Sequence, residues 1–410
     1  MGNSIFRLFD KFELTNLRIL FTFTEILVIV ESVKIYLLFF LVLCSFIFKK
    51  NDKSEVVYFE EFNALENVSP ELLEYLEEVK AKKDSGIDIF QIGDSHVQIG
   101  EFSKGFLNYF KQKDIFIQKS WYLPNLVFED LSFANKSLKK VKGIFENEKI
   151  TKKLKNLNIG LTGRTFRFAN GKTILKFKYK EKISSLEFLH SFSEKLTFES
   201  NKKINSIINL ISLKEQINSI RFKKLNSRFK LTIKNPYKEL IEFYAMRHNF
   251  IENKLSYSNF GVGGAKFQDF IFAPKFFEQL DALKPEIIIF TLGTNDSYYT
   301  ELSKQQFSKQ LAEFIEKIKD ISPKTELILM NVPDTYFKGA KPSHLAFVNS
   351  EIERIAEDKK CAFWNWNKIM GGNESVHKWK KRNLMDEDLL HFSSDGYLLL
   401  GELFGKAFLK

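Results

Sequence analysis

Cysteine is nearly absent from this 410-residue chain, with only Cys44 and Cys361. Two cysteines in separate segments exclude a disulfide framework and a cysteine-based zinc site. Histidine is scarce too, with six residues, none of them paired at metal-ligand spacing. No nucleic-acid-binding signature is present, so a nucleic-acid partner is not expected. Residues 1–50 lack the small-residue A-x-A pattern of a cleaved signal peptide. What the chain has in excess is basic charge and phenylalanine. It carries 62 Lys+Arg against 51 Asp+Glu, a net +11, and 44 Phe. The phenylalanine reads as base-composition bias. The 44% hydrophobic fraction is that of a globular chain, and the length allows two domains with a substantial core.

The charge is uneven. Residues 136–235 hold 25 Lys/Arg and 7 Asp/Glu, a net +18, which leaves 11 − 18 = −7 for the remainder. A basic module of this kind is either a solvated face or a surface for an anionic polymer. At the other extreme, Ile35–Phe48 runs 14 residues without a charge, with Lys34 before it and Lys49, Lys50 and Lys53 after it. Leu43 is too bulky for a lipobox before Cys44. Residues 1–50 are therefore expected to be an uncleaved signal anchor, a transmembrane region that places the rest outside the cytoplasm, in the periplasm or cell envelope.

Residues 51–142 open with a helix start at Ser69-Pro70, serine as N-cap and proline at the first helical position. Ile87–His96 then reads as a buried strand that breaks at Gly93-Asp94-Ser95-His96. An amphipathic helix is expected over Glu101–Gln112. Residues 143–253 change texture. Short alternating runs such as Thr173–Tyr179, Leu186–Phe192, Ile217–Phe222 and Phe229–Lys234 are separated by Asn, Ser, Gly and Pro, the spacing of a β-sandwich. Residues 254–410 return to alternating strands and helices. Ser256–Val262, Glu286–Leu292, Glu326–Val332 and Cys361–Trp364 are the strands. Gln305–Lys319, Leu345–Glu357 and Gly396–Phe408 are the helices. That order predicts a three-layer α/β/α sandwich around a parallel sheet, with an inserted β-sandwich domain.

Four polar segments fall where such a fold gathers an active site: Gly93–His96, Gly261–Ala265, Gly293–Asp296 and Asp388–His391. Hydrolysis by a serine needs a base for its proton, a group that orients the base, and donors for the oxyanion. Ser95 supplies the hydroxyl, His391 the base, and Asp388, three residues earlier, the orienting carboxylate. The Ser95 N–H, the Gly264 N–H and the Asn295 amide supply the oxyanion donors. His96 is a candidate pocket residue and Trp364 and Trp366 candidate packing beneath the site. Val332–Ser343 is a loop that either covers the cleft or simply connects.

These four blocks, in this order, resemble the SGNH family, also called GDSL esterases and lipases. Phe363–Gly372, Trp379, Asp388–Gly401 and Ile241–Ala265 are similar to the branch containing peptidoglycan O-acetylesterases. Gly263 stands where the branch has asparagine. The resemblance implies an SGNH hydrolase fold, catalytic Ser95, Asp388 and His391, and an oxyanion hole of Ser95, Gly264 and Asn295. It implies a carbohydrate-binding-like insert between the serine and glycine blocks, and neither cofactor nor metal. The expected function is a serine esterase removing O-acetyl groups from a cell-envelope glycan, peptidoglycan by the resemblance, through an acyl-enzyme on Ser95, with an O-acetylated glycan and, through the N-terminal segment, a membrane as the expected partners. The same residues also serve an O-acetyltransferase, and a non-catalytic carbohydrate-binding protein is the third reading.

Overall fold

Runs of Ile, Val and Phe without a polar face need cover on both sides, and they build the centre of the molecule. A computed structural model describes residues 57–83, 86–123, 138–142, 145–152, 158–168, 171–191, 196–211, 215–235, 241–249, 251, 254–298 and 303–410. The expected anchor in residues 1–50 lies outside these. Among the described residues no helix is long and apolar enough to cross a membrane.

In chain order the strands are β1 (Asp88–Gly93), β2 (Gln118–Lys119), β3 (Leu138–Lys142), β4 (Phe145–Lys149), β5 (Arg164–Phe168), β6 (Gly171–Ser191) and β7 (Thr197–Ser200). They continue with β8 (Ile204–Ile211), β9 (Glu215–Asn235), β10 (Glu242–His248), β11 (Ser256–Gly261), β12 (Ile287–Thr291), β13 (Glu326–Met330) and β14 (Ala362–Trp364). Among the described residues they form two sheets. One is parallel, in the order β14-β13-β12-β1-β11-β2.

Alternation along its strands sends side chains to opposite faces. Ile288 and Phe290 of β12 join a core with the helices Phe267–Ile271, Phe276–Leu283, Lys304–Ile321 and Leu345–Asp358. Ile287 and Ile289 join a second core with Pro70–Lys80, Glu101–Gln112, Trp366–Met370, Ser375–Lys381 and Ser394–Phe408. This is the three-layer α/β/α arrangement that the order of elements predicts. The observed strands differ from the expected ones by only one or two residues at their ends.

Two of these helices bring distant parts of the chain together. Glu101–Gln112 follows Ser95 and Ser394–Phe408 follows His391. A Cβ on Gly105 would lie 2.2 Å from the Leu398 carbonyl oxygen, and one on Gly401 would lie 2.0 Å from that of Phe102. Glycine at both positions therefore lets the helix backbones touch. Phe106 stacks on Phe404 with ring centroids 5.3 Å apart and meets Phe408 at 5.5 Å. Aromatic packing locks the pair once the glycines admit it.

The second sheet is antiparallel and lies between β2 and β11 in the chain, from Leu138 to His248. The alternating runs expected as separate short strands are fused here. β6 and β9 are 21 residues each and pair along most of their length, with irregularities between Lys178 and Ser185. They fold over. Phe198 is on β7 beside Ile233, while Phe188 is opposite Asn218. A straight strand would separate those two levels by about 50 Å, yet the rings of Phe188 and Phe198 are 5.5 Å apart. One bent sheet thus closes on its own phenylalanine core.

This sheet is not tethered at arm's length, because residues 57–410 form one compact unit. Tyr122, just after β2, exchanges both backbone hydrogen bonds with Met246 of β10, at 2.8 and 2.9 Å. Ile150, Ile159, Leu161, Leu189 and Tyr244 enter the same core as Phe260 and Val262 of the parallel sheet.

Its outer face explains part of the charge excess. Lys140 is opposite Lys176, and Lys176 opposite Lys230. Lys178 faces Arg228, and Lys172 faces Lys234, which pairs with Glu199. Like charges directly opposite each other destabilise a sheet. Lys230→Glu is expected to stabilise the protein by about 0.5–1 kcal/mol, because it puts a carboxylate beside Lys176. Urea unfolding at low and high salt checks this: the gain must shrink as salt screens it, and a loss of stability would rule out the repulsion.

Candidate active site

The four polar segments meet at one edge of the parallel sheet. β1, β11 and β12 are neighbours, and the segments holding Ser95, Gly264 and Asn295 leave their C-terminal ends. Open parallel sheets present ligand sites at this edge. Ser95 begins a four-residue helix, Ser95–Gln98, capped by Asp94, whose carboxylate accepts the His96 N–H at 2.9 Å. Its hydroxyl oxygen lies 3.0 Å from His391 Nε2. His391 Nδ1 lies 2.6 Å from Asp388 Oδ2.

The short Asp388–His391 spacing works because the two carboxylate oxygens divide their tasks. Oδ1 accepts the backbone N–H groups of Leu390 and His391, each at 2.9 Å, and this turns the chain. Oδ2 then meets the ring. Leu389 takes a positive φ of 53° inside that turn. Burial works to raise the Asp388 pKa, but the hydrogen bonds from the His391 backbone and ring and from the Leu390 backbone outweigh it and hold it below the ordinary value. The carboxylate stays charged and the imidazole proton stays on Nδ1, leaving Nε2 free to accept the serine proton.

Gly264 has φ +82°, a conformation that favours glycine. Among the described residues neither its N–H nor that of Ser95 has an acceptor. The Asn295 amide donates to the Ala265 carbonyl at 3.0 Å and makes a stretched 3.5 Å contact with Asp94 Oδ2. Ala265 directly follows Gly264, so this bond fixes the asparagine beside the glycine turn. The Ser95 and Gly264 N–H groups are thus the donors left open for an oxyanion, and the Asn295 amide would join them by giving up its stretched contact with Asp94.

Buried neighbours complete the setting. Burial pushes the pKa of Asp94 up to about 7 and that of Asp296 up to about 7. His96 is buried, its Nδ1 lies 2.8 Å from the Tyr397 hydroxyl, and its ring centroid is 5.7 Å from that of His391. Burial, followed by the neighbouring His391, lowers its pKa to about 3. It is therefore a neutral support behind the base, packed on Trp366 at 5.5 Å. Trp364 and Trp366 are both buried beneath the site.

Two residues that the sequence did not single out belong to this setting. Gln98 Oε1 accepts the Gly263 N–H and also a hydrogen bond from Arg164 Nη2 at 3.2 Å. Arg164 is on β5 of the antiparallel sheet, and it is buried. A residue between β2 and β11 therefore braces the glycine turn through one glutamine. Thr151 flanks the same turn, 3.8 Å from where a Gly264 Cβ would be. The only sequence signal for Arg164 was its place in a basic region, which does not set it apart from its neighbours.

A serine, an imidazole and a carboxylate in hydrogen-bonded series, at the edge of a parallel sheet, define the class of α/β serine hydrolases. The sequence profile of the GDSL-like lipase/acylhydrolase family matches residues 241–399. Residues 241–399 are thus a GDSL-like lipase/acylhydrolase domain of the SGNH type, and the protein is an esterase-type enzyme. The matched stretch includes Gly264, Asn295, Asp388 and His391, while Ser95 precedes it on the far side of the antiparallel sheet. No curated protein matches the sequence.

Among solved structures, that of a peptidoglycan O-acetylesterase superposes with a TM-score of 0.65 at 17% identity, covering 84% of this chain and 96% of that one. A lipase/acylhydrolase from Enterococcus faecalis is similar at 18% identity and a TM-score of 0.31, covering 37% of this chain and 75% of the other. The first likeness shows a shared fold extending over both sheets.

Proposed function

We propose that this protein hydrolyses O-acetyl esters on a cell-envelope glycan, with peptidoglycan as the substrate, through an acyl-enzyme on Ser95. The observation that carries the reading is the unbroken series from Ser95 Oγ to His391 Nε2 at 3.0 Å and from His391 Nδ1 to Asp388 at 2.6 Å. His391 takes the Ser95 proton as Oγ attacks the acetyl carbonyl. The oxyanion is held by the Ser95 and Gly264 N–H groups and the Asn295 amide. The intermediate collapses, His391 returns the proton to the departing sugar oxygen, and acetyl-Ser95 remains. Water, deprotonated by His391, then releases acetate and restores the serine. The O-acetylesterase with the shared fold supports acetyl as the acyl group and glycan as the alcohol. In this reading the antiparallel sheet is a carbohydrate-binding-like module, and residues 1–50 anchor the enzyme outside the cytoplasm.

Acetate release from O-acetylated peptidoglycan, with and without an acceptor glycan, tests the proposal. The expected result is acetate in stoichiometric yield whether or not acceptor is present. Acetyl groups appearing on the acceptor faster than free acetate would reassign the enzyme as a transferase. Absence of either product, with ethyl acetate still hydrolysed, would exclude the glycan.

A further inference from the structure

The loop that the sequence left undecided, Val332–Ser343, is neither a free lid nor a plain connection. Its start is pinned by Asp334, a buried carboxylate that accepts Lys341 Nζ at 2.7 Å and the Val376 N–H at 3.1 Å. Its middle is hydrogen-bonded to the loop carrying the catalytic acid and base. The Tyr336 N–H reaches the Leu389 carbonyl at 2.9 Å, and the Thr335 hydroxyl reaches the same oxygen at 3.2 Å. Its tip is a tight hairpin in which Phe337 and Ala340 exchange both backbone bonds, at 2.8 and 3.1 Å. Lys338 and Gly339 supply the positive φ values, 51° and 81°, that such a turn requires.

All of this holds one exposed aromatic ring in place. Phe337 is 40% exposed and lies 4.8 Å from the ring of Tyr298, tilted by 36°. Tyr298 is three residues after Asn295 on the same short helix, and the charges of Asp94 and Asp388 bear on its hydroxyl. The two rings therefore join the oxyanion-side helix to the His391 loop at the rim of the site. A large exposed aromatic held rigidly beside catalytic groups marks a contact for substrate.

We propose that Phe337, backed by Tyr298, is a stacking shelf for the pyranose ring that carries the scissile ester. The proposal deepens the glycan esterase reading and rests on it for the choice of sugar. Direction of attack separates sugar from acyl chain. The acyl group sits with its oxygen among the Ser95, Gly264 and Asn295 donors. The leaving oxygen must face His391 Nε2, which protonates it. Phe337 is fastened to the His391 loop, so it borders the alcohol and not the acyl group. A pyranose presents axial C–H bonds on one face and hydroxyls on its edge. The first suits the phenylalanine ring, and the second suits the Tyr298 hydroxyl and the Lys338 ammonium, whose Nζ is 5.2 Å from the Phe337 centroid.

The test compares wild type, Phe337→Ala and Phe337→Trp on an O-acetylated N-acetylglucosamine oligomer, ethyl acetate and ethyl octanoate. In a Ser95→Ala background, binding of the unacetylated oligomer is also measured by calorimetry. The shelf predicts that alanine lowers kcat/KM on the sugar ester about 10-fold more than on ethyl acetate, through KM, which corresponds to about 1.4 kcal/mol. Tryptophan restores it, and oligomer binding weakens in parallel with the alanine change. Equal losses on all three esters, no loss, or a loss confined to the octanoate would overturn the proposal. If wild type hydrolyses no acetylated sugar but the oligomer binds and needs Phe337, the esterase reading fails and the shelf stands. If acetylated sugar is hydrolysed and Phe337 is indifferent, the reverse holds.

Discussion

Ser95→Ala is expected to lower kcat on ethyl acetate by about 10⁶, and His391→Ala by a similar factor. The double variant should be no slower than either single one. Serine and imidazole act as one unit across a 3.0 Å hydrogen bond, so removing one makes the other idle. Asp388→Asn should cost less, up to about 10⁴. Asparagine keeps an oxygen for the Leu390 and His391 N–H groups but turns an N–H toward His391 Nδ1. The ring then carries its proton on the wrong nitrogen, with its position preserved. Steady-state rates of the four variants check this. More than about 1% residual activity in Ser95→Ala would remove the serine from the mechanism, since the triad logic leaves no other nucleophile.

The second large effect is expected from Gln98. Gln98→Ala deletes the acceptor shared by the Gly263 N–H and by Arg164, a guanidinium fully buried between the two sheets. Loss of a hydrogen bond to a buried charged group costs about 1.5–3 kcal/mol of stability. The glycine turn also loses its brace, and displacement of an oxyanion donor by about 1 Å is worth roughly 10² in rate. We expect kcat to fall about 100-fold with KM nearly unchanged, because donors to the oxyanion act mainly in the transition state. Gln98→Glu keeps the oxygen acceptor and adds charge complementary to Arg164, so it should recover most of the rate. A variant that melts earlier but turns over at the wild-type rate would confine Gln98 to a structural role. Arg164→Met should reproduce the kcat defect in weaker form, since Gly263 still has its acceptor.

The elements that were legible in the sequence are those whose signal is local. β12 is an unbroken Ile-Ile-Ile-Phe run, and only a strand covered on both faces makes use of such a run. Pro70–Lys80 announces itself through its serine cap and its proline, and Ser69 does accept the Leu72 N–H at 2.9 Å. Helices such as Phe267–Ile271, Thr294–Tyr298 and Trp366–Met370 are five residues each, too short to show a period. They exist because the chain must turn at the sheet edge, where long-range bonds such as those from the Phe267 N–H to Asp296 and from the Asn367 N–H to Asn331 add to their local caps. The fusion of alternating runs into β6 and β9 has no local signal for a related reason. Asn and Ser between the runs read as turns, whereas pairing with a neighbour carries the strand through them as bulges.

The site divides along the same line. Sequence alone determined the residue types and their order: a serine after one strand, glycine and asparagine after two others, and an aspartate three residues before a histidine. Those follow from chemistry that each short segment performs on its own backbone, as the Asp388 turn illustrates. Tertiary structure alone decided which of them meet and what stands around them. Ser95 and His391 come together because Gly105 and Gly401 let two helix backbones touch. Arg164 reaches the glycine turn because the antiparallel sheet shares a core with the parallel one. Phe337 borders the leaving group because its loop is bonded to Leu389. Each of these contacts joins residues tens to hundreds of positions apart. Contacts of that kind are selected by packing and burial, and neither leaves a periodic trace in the residues that make them.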